Sequence, residues 1–273
     1  KTFVLLSEQD YHSDYATLFK IGLSVHELLA RRNPVYAALH ADKRNLYKLW
    51  IQDDIKRDSI EFILKAASER NVPIQKASKQ DINNKAQDGR HQGVLLEVGP
   101  YIYASVDDAI TLAAERNESP FLLVLDLLHG PQNIGSLLRT AEVCGVHGVI
   151  LQDRRAPDVT PTVVQYSAGA TEYLRIAQVT NLAQSLKSLK DNGVWVVGLD
   201  IDKSAMQFGA VDLDLPIAVV VGHEGSGLRR ITKKHCDFLL RLPMRGHTES
   251  LNAAVAGSIL LYAAWQARGF SES

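Results

Sequence analysis

Two observations predict an α/β protein in two parts. Beyond Pro120 the chain repeats short, unbroken apolar runs ("FLLVLDLL", "GVILQ", "VWVVGLD", "IAVVVG", "FLLRLP") separated by helical stretches. Such runs suit strands covered on both faces of a parallel sheet. Ahead of them, residues 21–99 mix helical and strand patterns more finely, as a small α/β domain would. At 273 residues the chain is long enough for both. The chain is expected to divide into an N-terminal extension (1–20), a first domain (21–99), a linker (100–119) and a second domain (120–273). The linker opens at the Gly99-Pro100 turn and closes on the polar breaker "NESP".

The elements follow in order. "SVHELLARR" places Val25, Leu28 and Leu29 on one helical face, and Asn33-Pro34 is expected to stop that helix. "LYKLWIQ" alternates as a strand does, and "DSIEFILKAASERN" is amphipathic behind an Asp/Ser start. "GVLLEV" is a second strand, and "VDDAITLAAERN" a helix within the linker. In the second domain helices are expected over 134–144, 161–168, 180–191 and 227–235, with a last one running from Ser250 to 267. Ligands of parallel sheets bind beyond the carboxyl ends of the strands. The loops after Asp126, Val221 and Leu242 are therefore the ones to search.

Composition excludes several classes. With 46% hydrophobic and 22% charged residues the chain is globular rather than disordered. No apolar run approaches the roughly 18 residues of a membrane helix. The opening "KTFVLLSEQDYHSDY" is broken by Glu8 and Asp10 and does not read as a signal peptide. Cys144 and Cys236 form neither a C-x-x-C pair nor a disulfide framework, and read as two buried thiols of a reducing compartment. The nine histidines form no H-x-x-x-H or other metal-ligand spacing. Net charge is −1, but Arg229, Arg230, Lys233, Lys234, Arg241 and Arg245 stand against the lone Asp237 between 225 and 247. That run is expected to face an anion.

It flanks "VVVGHEGSGLRR" (219–230), whose three glycines raise the question of a ligand. The order G-x-x-G-x-G on a late strand is not the dinucleotide fingerprint, and Leu228 stands where a P-loop needs lysine. Glu224 and Leu228 flank Ser226 where a nucleophile elbow needs glycines. Taken alone, the stretch reads equally well as a tight strand-to-helix turn.

Three clusters stand in order. They are "HGPQNIGSLLRTAEVCG" (129–145), "GHEGSGL" (222–228) and "LPMRGHTESLNAAVAG" (242–257). This trio resembles the three motifs of the SpoU (TrmH-type) ribose 2′-O-methyltransferases, and the likeness spans residues 120–268. "HQGVLLEV" (91–98) ends a stretch similar to the ribosomal-protein-like RNA-binding module that precedes this core in large-subunit rRNA enzymes. The resemblance implies a parallel sheet with a deep C-terminal trefoil knot. It also implies S-adenosylmethionine held by Gly222, Leu242, Met244 and Leu251, largely through backbone groups. Filling Gly222 with a β-branched side chain is then expected to block the cofactor and spare the fold.

The same resemblance makes Arg139 the catalytic candidate, with Asn133, Glu224, Ser250 and Asn252 around the target ribose. A guanidinium stays protonated, so Arg139 suits a phosphate or a developing alkoxide better than proton removal. Ser250 reads equally as a helix cap, and Glu224 is expected to pair with Arg245 or Arg139. The implied partners are RNA and a second copy of the chain, with no membrane and no DNA. The implied substrate is a guanosine of large-subunit rRNA, in the cytoplasm or an organelle matrix. The alternatives are a tRNA ribose methyltransferase and a non-catalytic RNA-binding or ribosome-assembly protein on the same fold.

Overall fold

The computed structural model describes residues 3–5, 24–86, 90–153, 158–202 and 204–270. Most of the expected N-terminal extension lies outside them. Two compact units emerge. One comprises residues up to Ile102 together with Val159–Tyr173, the other Tyr103–Asp158 with Leu174 onward.

The first unit is a five-stranded mixed sheet in the order β1-β2-β5-β3-β4. Its strands are β1 (Phe3–Leu5), β2 (Ser24–Ala30), β3 (Leu46–Gln52), β4 (Ile74–Ala77) and β5 (Val94–Val98). Helices α1 (Arg32–Ala41), α2 (Glu61–Glu69) and α3 (Lys79–Ala86) join α6 (Pro161–Tyr166), which comes from the later segment. The stretch expected as the first helix is β2, and Asn33-Pro34 opens α1 instead of closing a helix. Proline fits the first turn of a helix, where its missing N–H has no intrahelical acceptor. β2 pairs β5 antiparallel, Glu27 opposite Val98 and Leu29 opposite Leu96. Paired on both edges by β1 and β5, and packed against α1, α3 and α6, it is buried at successive positions from Val25 to Glu27, so its residues do not alternate apolar and polar.

The second unit holds seven parallel strands, ordered β10-β12-β9-β11-β6-β7-β8. β6 (Phe121–Asp126), β7 (Gly148–Gln152), β9 (Trp195–Leu199), β11 (Ile217–Gly222) and β12 (Phe238–Arg241) are the five apolar runs. β8 (Ile176–Val179) and the two-residue β10 (Met206–Gln207) escaped the sequence reading, being short and mixed. β6 and β11 are buried at every position.

On one face Leu122, Val124, Ala218 and Val220 pack with Leu182, Leu186 and Leu189 of α7 (Leu182–Asp191) and Ala109 of α4 (Val106–Glu115). A reciprocal capping box between Ser105 and Asp108 starts α4. On the other face α9 (Ala253–Ala267) packs on β11 and against α5 (Pro131–Val143). Gly257 lies where they converge. A Cβ there would come within 2.9 Å of Leu137 on α5 and Val221 on β11. The mid-helix glycine, which costs about 1 kcal/mol of helix propensity, is what lets α9 lie this close. No helix among the described residues is long and apolar enough to cross a membrane.

Candidate functional site

Because all seven strands run the same way, the loops after β6, β11 and β12 emerge at one end of the sheet. After β6, Pro131 occupies the first turn of α5, which projects Asn133 and Arg139. After β11 the glycine loop folds on itself. His223 and Gly227 exchange backbone hydrogen bonds of 3.1 and 3.0 Å, and Gly227 takes φ +65°. The His223 ring closes the turn, its Nδ1 accepting from the N–H groups of Gly225 (2.9 Å) and Ser226 (3.3 Å). Leu228, 3% exposed, anchors the far end in the core. After β12, Pro243 to Leu251 form no helix or strand.

Three polar side chains sew these loops together. Glu224 Oε1 accepts from Asn133 Nδ2 (2.9 Å) and from the Gly130 N–H (3.2 Å). Asn133 Oδ1 in turn accepts from Asn252 Nδ2 at 3.0 Å. Asn252 Oδ1 caps α9, accepting from the N–H groups of Ala254 (2.9 Å) and Val255 (3.2 Å). Partial burial works against the Glu224 anion, but hydrogen bonds from Asn133, its own N–H and the Gly130 N–H outweigh it. They hold the carboxyl below its ordinary 4.5. The expected partners Arg245 and Arg139 are replaced by these neutral donors.

Arg139 is exposed and makes no hydrogen bond or ion pair among the described residues. It lines a groove of about 690 Å³ between α5 and α9, with Asn133, Ser136, Asn252, Val255 and Tyr262. Leu242 is buried at the end of β12, whereas Met244 and Leu251 each stand 40% exposed. Ser250 neither starts nor caps α9. The helix begins at Ala253 with Asn252 as its cap, because Asn252 alone is placed to accept from the first free N–H groups.

Gly222 also needs a different explanation. A Cβ there would lie 2.6 Å from the Gly227 carbonyl oxygen and from the Leu228 nitrogen. The loop's own backbone fills the space, so a side chain would deform the loop rather than spare the fold.

The basic run is divided. Arg229 donates from Nε to Asp126 Oδ1 (2.6 Å), from its backbone N–H to Oδ2 (2.9 Å) and from a terminal nitrogen to Gln152 Oε1 (3.0 Å). Lys233, on the short helix α8 (Arg230–His235), pairs with Asp200. Arg230, Lys234 and Arg245 remain exposed. The lone acid closing "FLLVLD" was the signal for Asp126, since a carboxylate ending an apolar run must find a partner. Cys144 is buried as expected, but Cys236 is only partly so. Desolvation pushes their thiols up to about 11 and about 12, away from nucleophilic reactivity.

Residues 120–262 match the profile described as the SpoU rRNA methylase family, and residues 32–104 match RNA 2′-O ribose methyltransferase substrate binding. YacO of Bacillus subtilis (strain 168), named for the TrmH family of tRNA/rRNA methyltransferases, is 40% identical over 243 residues. The alignment covers 89% of this chain and 96% of that protein. A TrmH-family relative from Staphylococcus saprophyticus is 40% identical over 223 residues, 82% of this chain and 89% of its own. The fold is that of AviRb from Streptomyces viridochromogenes, a SpoU methyltransferase crystallised with AdoMet. The TM-score is 0.76 at 20% identity, over 97% of this chain and 98% of that one. With the three loop motifs joined at one end of a parallel sheet, the chain belongs to the SpoU/TrmH family of RNA methyltransferases.

Proposed function

We propose that this chain transfers the methyl group of S-adenosylmethionine to a ribose 2′-hydroxyl of RNA, at a guanosine of large-subunit rRNA, and does so as a homodimer with its C-terminal segment knotted. The observation that carries the reading is the Glu224–Asn133–Asn252 chain of hydrogen bonds, which joins all three motif loops.

The loop residues fit the cofactor. Among the described residues, no backbone N–H or C=O from Pro243 to Leu251 bonds to another backbone group. Free peptide edges beside the exposed Met244 and Leu251 provide hydrogen bonds and apolar walls together, as an adenine requires. Gly222, Leu242, Met244 and Leu251 would hold it. When bound, adenosylmethionine supplies a methyl on a sulfonium, whose thioether is an excellent leaving group.

The chain's own residues have then to place the ribose in line and assist loss of the hydroxyl proton. Arg139, free of partners among the described residues, would hold the adjoining phosphate and stabilise the oxygen as its proton passes to solvent. Glu224 and Asn252 fix Asn133 beside it. Ser250, exposed on the loop that leads to Asn252, would meet the target ribose. The groove between α5 and α9, with Val255 and Tyr262 about half exposed, supports seating a second copy there. The separate unit matching the substrate-binding profile supports rRNA, since it adds a surface for a large, structured RNA.

Calorimetry with S-adenosylhomocysteine is expected to give binding, and its absence would overturn the reading. Mapping 2′-O-methylation in cells with and without the gene is expected to remove one large-subunit rRNA mark. Loss of a tRNA mark alone would move the substrate to tRNA. Arg139→Ala is expected to abolish methyl transfer while leaving dimerisation and adenosylhomocysteine binding unchanged. Arg139→Lys should fare little better, because a point charge does not reproduce the planar fork.

A further inference from the structure

Arg229 reads from sequence as part of an anion-facing run, yet its hydrogen bonds point inward. Asp126 ends β6 and its side chain is fully buried. In the sheet register it stands opposite Gly222, the first residue of the glycine loop. Its carboxylate also takes both the backbone N–H and the Nε of Arg229, the first residue after that loop. One buried residue therefore fixes where the loop begins and where it ends. The outer end of the guanidinium reaches Gln152, the last residue of β7, so the side chain bridges two neighbouring strand ends.

A carboxylate removed from water must be matched by charge and hydrogen bonds. Here a single arginine supplies both. The loop's other contacts among the described residues are the His223–Gly227 turn with the His223 ring bonds to Gly225 and Ser226, the His129–His223 ring contact, the Glu224 contacts to α5 and the buried Leu228.

We infer that Arg229 is a positioning residue for the cofactor loop, acting through Asp126, and not an RNA contact. This rests on the reading that adenosylmethionine binds this loop. Pre-organising a loop raises affinity by removing an ordering cost at the moment of binding. Loss of the clamp should then weaken cofactor binding while leaving RNA binding alone.

The test compares wild type, Arg229→Lys, Arg229→Ala and the paired amide variant Asp126→Asn/Arg229→Gln, which removes the buried charge and its counter-ion together. Three quantities are measured: adenosylhomocysteine affinity by calorimetry, amide hydrogen exchange of 223–228 in the ligand-free protein, and RNA affinity as a function of salt. Arg229→Lys and Arg229→Ala are expected to weaken adenosylhomocysteine roughly tenfold or more, as loss of a charge-assisted bond would. They should speed exchange at 223–228 and raise KM for adenosylmethionine with KM for RNA unchanged. Should Arg229→Ala fail to fold, the amide pair carries the test. It is expected to melt near wild type and exchange more slowly at 223–228 than Arg229→Lys.

Affinity within twofold of wild type with unaltered exchange would overturn the clamp. A salt slope reduced by about one would instead mark Arg229 as a phosphate contact and overturn it too. A wild-type protein that does not bind adenosylhomocysteine would count against the cofactor reading alone, because exchange at 223–228 still decides whether the clamp holds the loop.

Discussion

Each unit of the molecule contains a network of charged and polar side chains, and the two networks are built in opposite ways. In the first unit Arg44 lies between Glu27, 2.6 Å from one guanidinium nitrogen, and Glu172, which it meets through two bonds of 3.0 and 2.9 Å. All three side chains are within 1% of complete burial. The Tyr101 ring stacks 4.8 Å from the guanidinium and its hydroxyl donates to the Thr171 carbonyl. The two carboxylates outweigh desolvation and raise the Arg44 pKa above its ordinary value. In the second unit Glu224, Asn133 and Asn252 carry one charge among them and lie near the surface.

Burial decides what each network does. Charges without water must be paired in one geometry, so the Arg44 cluster specifies how Val159–Tyr173 is built into the first unit. Polar groups that keep some water can give up a partner at modest cost, which suits loops that have to receive a ligand.

The largest effect should come from breaking the buried cluster. Glu172→Ala leaves half the compensation of Arg44 missing and should lower unfolding stability by about 3–5 kcal/mol, read by urea denaturation. A loss under about 1 kcal/mol would mean that water screens the cluster, and the contrast between the units would collapse. By the same argument residues 1–102 expressed alone should not fold stably, since Glu172 lies outside that segment.

Gly222→Val ranks next. Its side chain must displace backbone at Gly227 and Leu228, at a cost of about 1–3 kcal/mol, so thermal stability and adenosylhomocysteine binding should fall together. A variant that melts like wild type yet fails to bind would restore the simpler view of a side chain blocking the pocket.

Asn252 sharpens the comparison further. Asn252→Ala loses the cap of α9, about 1 kcal/mol, along with the tie to Asn133. Asn252→Asp keeps an acceptor for the cap and replaces the donated bond by a carboxylate oxygen facing Asn133 Oδ1. If the surface network exists to position loops, Asn252→Asp should lose less stability than Asn252→Ala and still lose methyl transfer. Equal activity in Asn252→Asp and wild type would remove Asn252 from the site.

The smallest effect concerns pH. The folded-state pKa of Glu224 lies below its unfolded value, so its contribution is complete above the ordinary 4.5 and fades as pH falls through the depressed value. With the side chain 26% exposed the contribution should stay under about 1 kcal/mol. Glu224→Gln should accordingly flatten the acid limb of the stability profile slightly, which melting curves between pH 3 and 6 would detect. No change in that limb would place Glu224 outside the hydrogen-bonded network.

The parallel strands were legible because their signal is local: five apolar runs of the right length announce themselves whatever surrounds them. The three motif loops were legible for a similar reason, since residue types and spacings travel with the chain. β2 was not, because "SVHELLARR" satisfies a helical face and only its position between β1 and β5 selects the strand. The residues 159–173 gave no sign that they build into the first unit.

The sequence by itself determined the α/β class, the parallel core and the family. What only the tertiary structure decided is the partner of each charge. Arg44 meets Glu172 across 128 residues, Arg229 meets Asp126 across 103, and Glu224 meets Asn133 across 91. Periodicity reports which face of an element is apolar, but it carries no information about which distant group a buried charge will find. That choice follows from packing, because the cost of an unpaired charge grows only once water has been excluded.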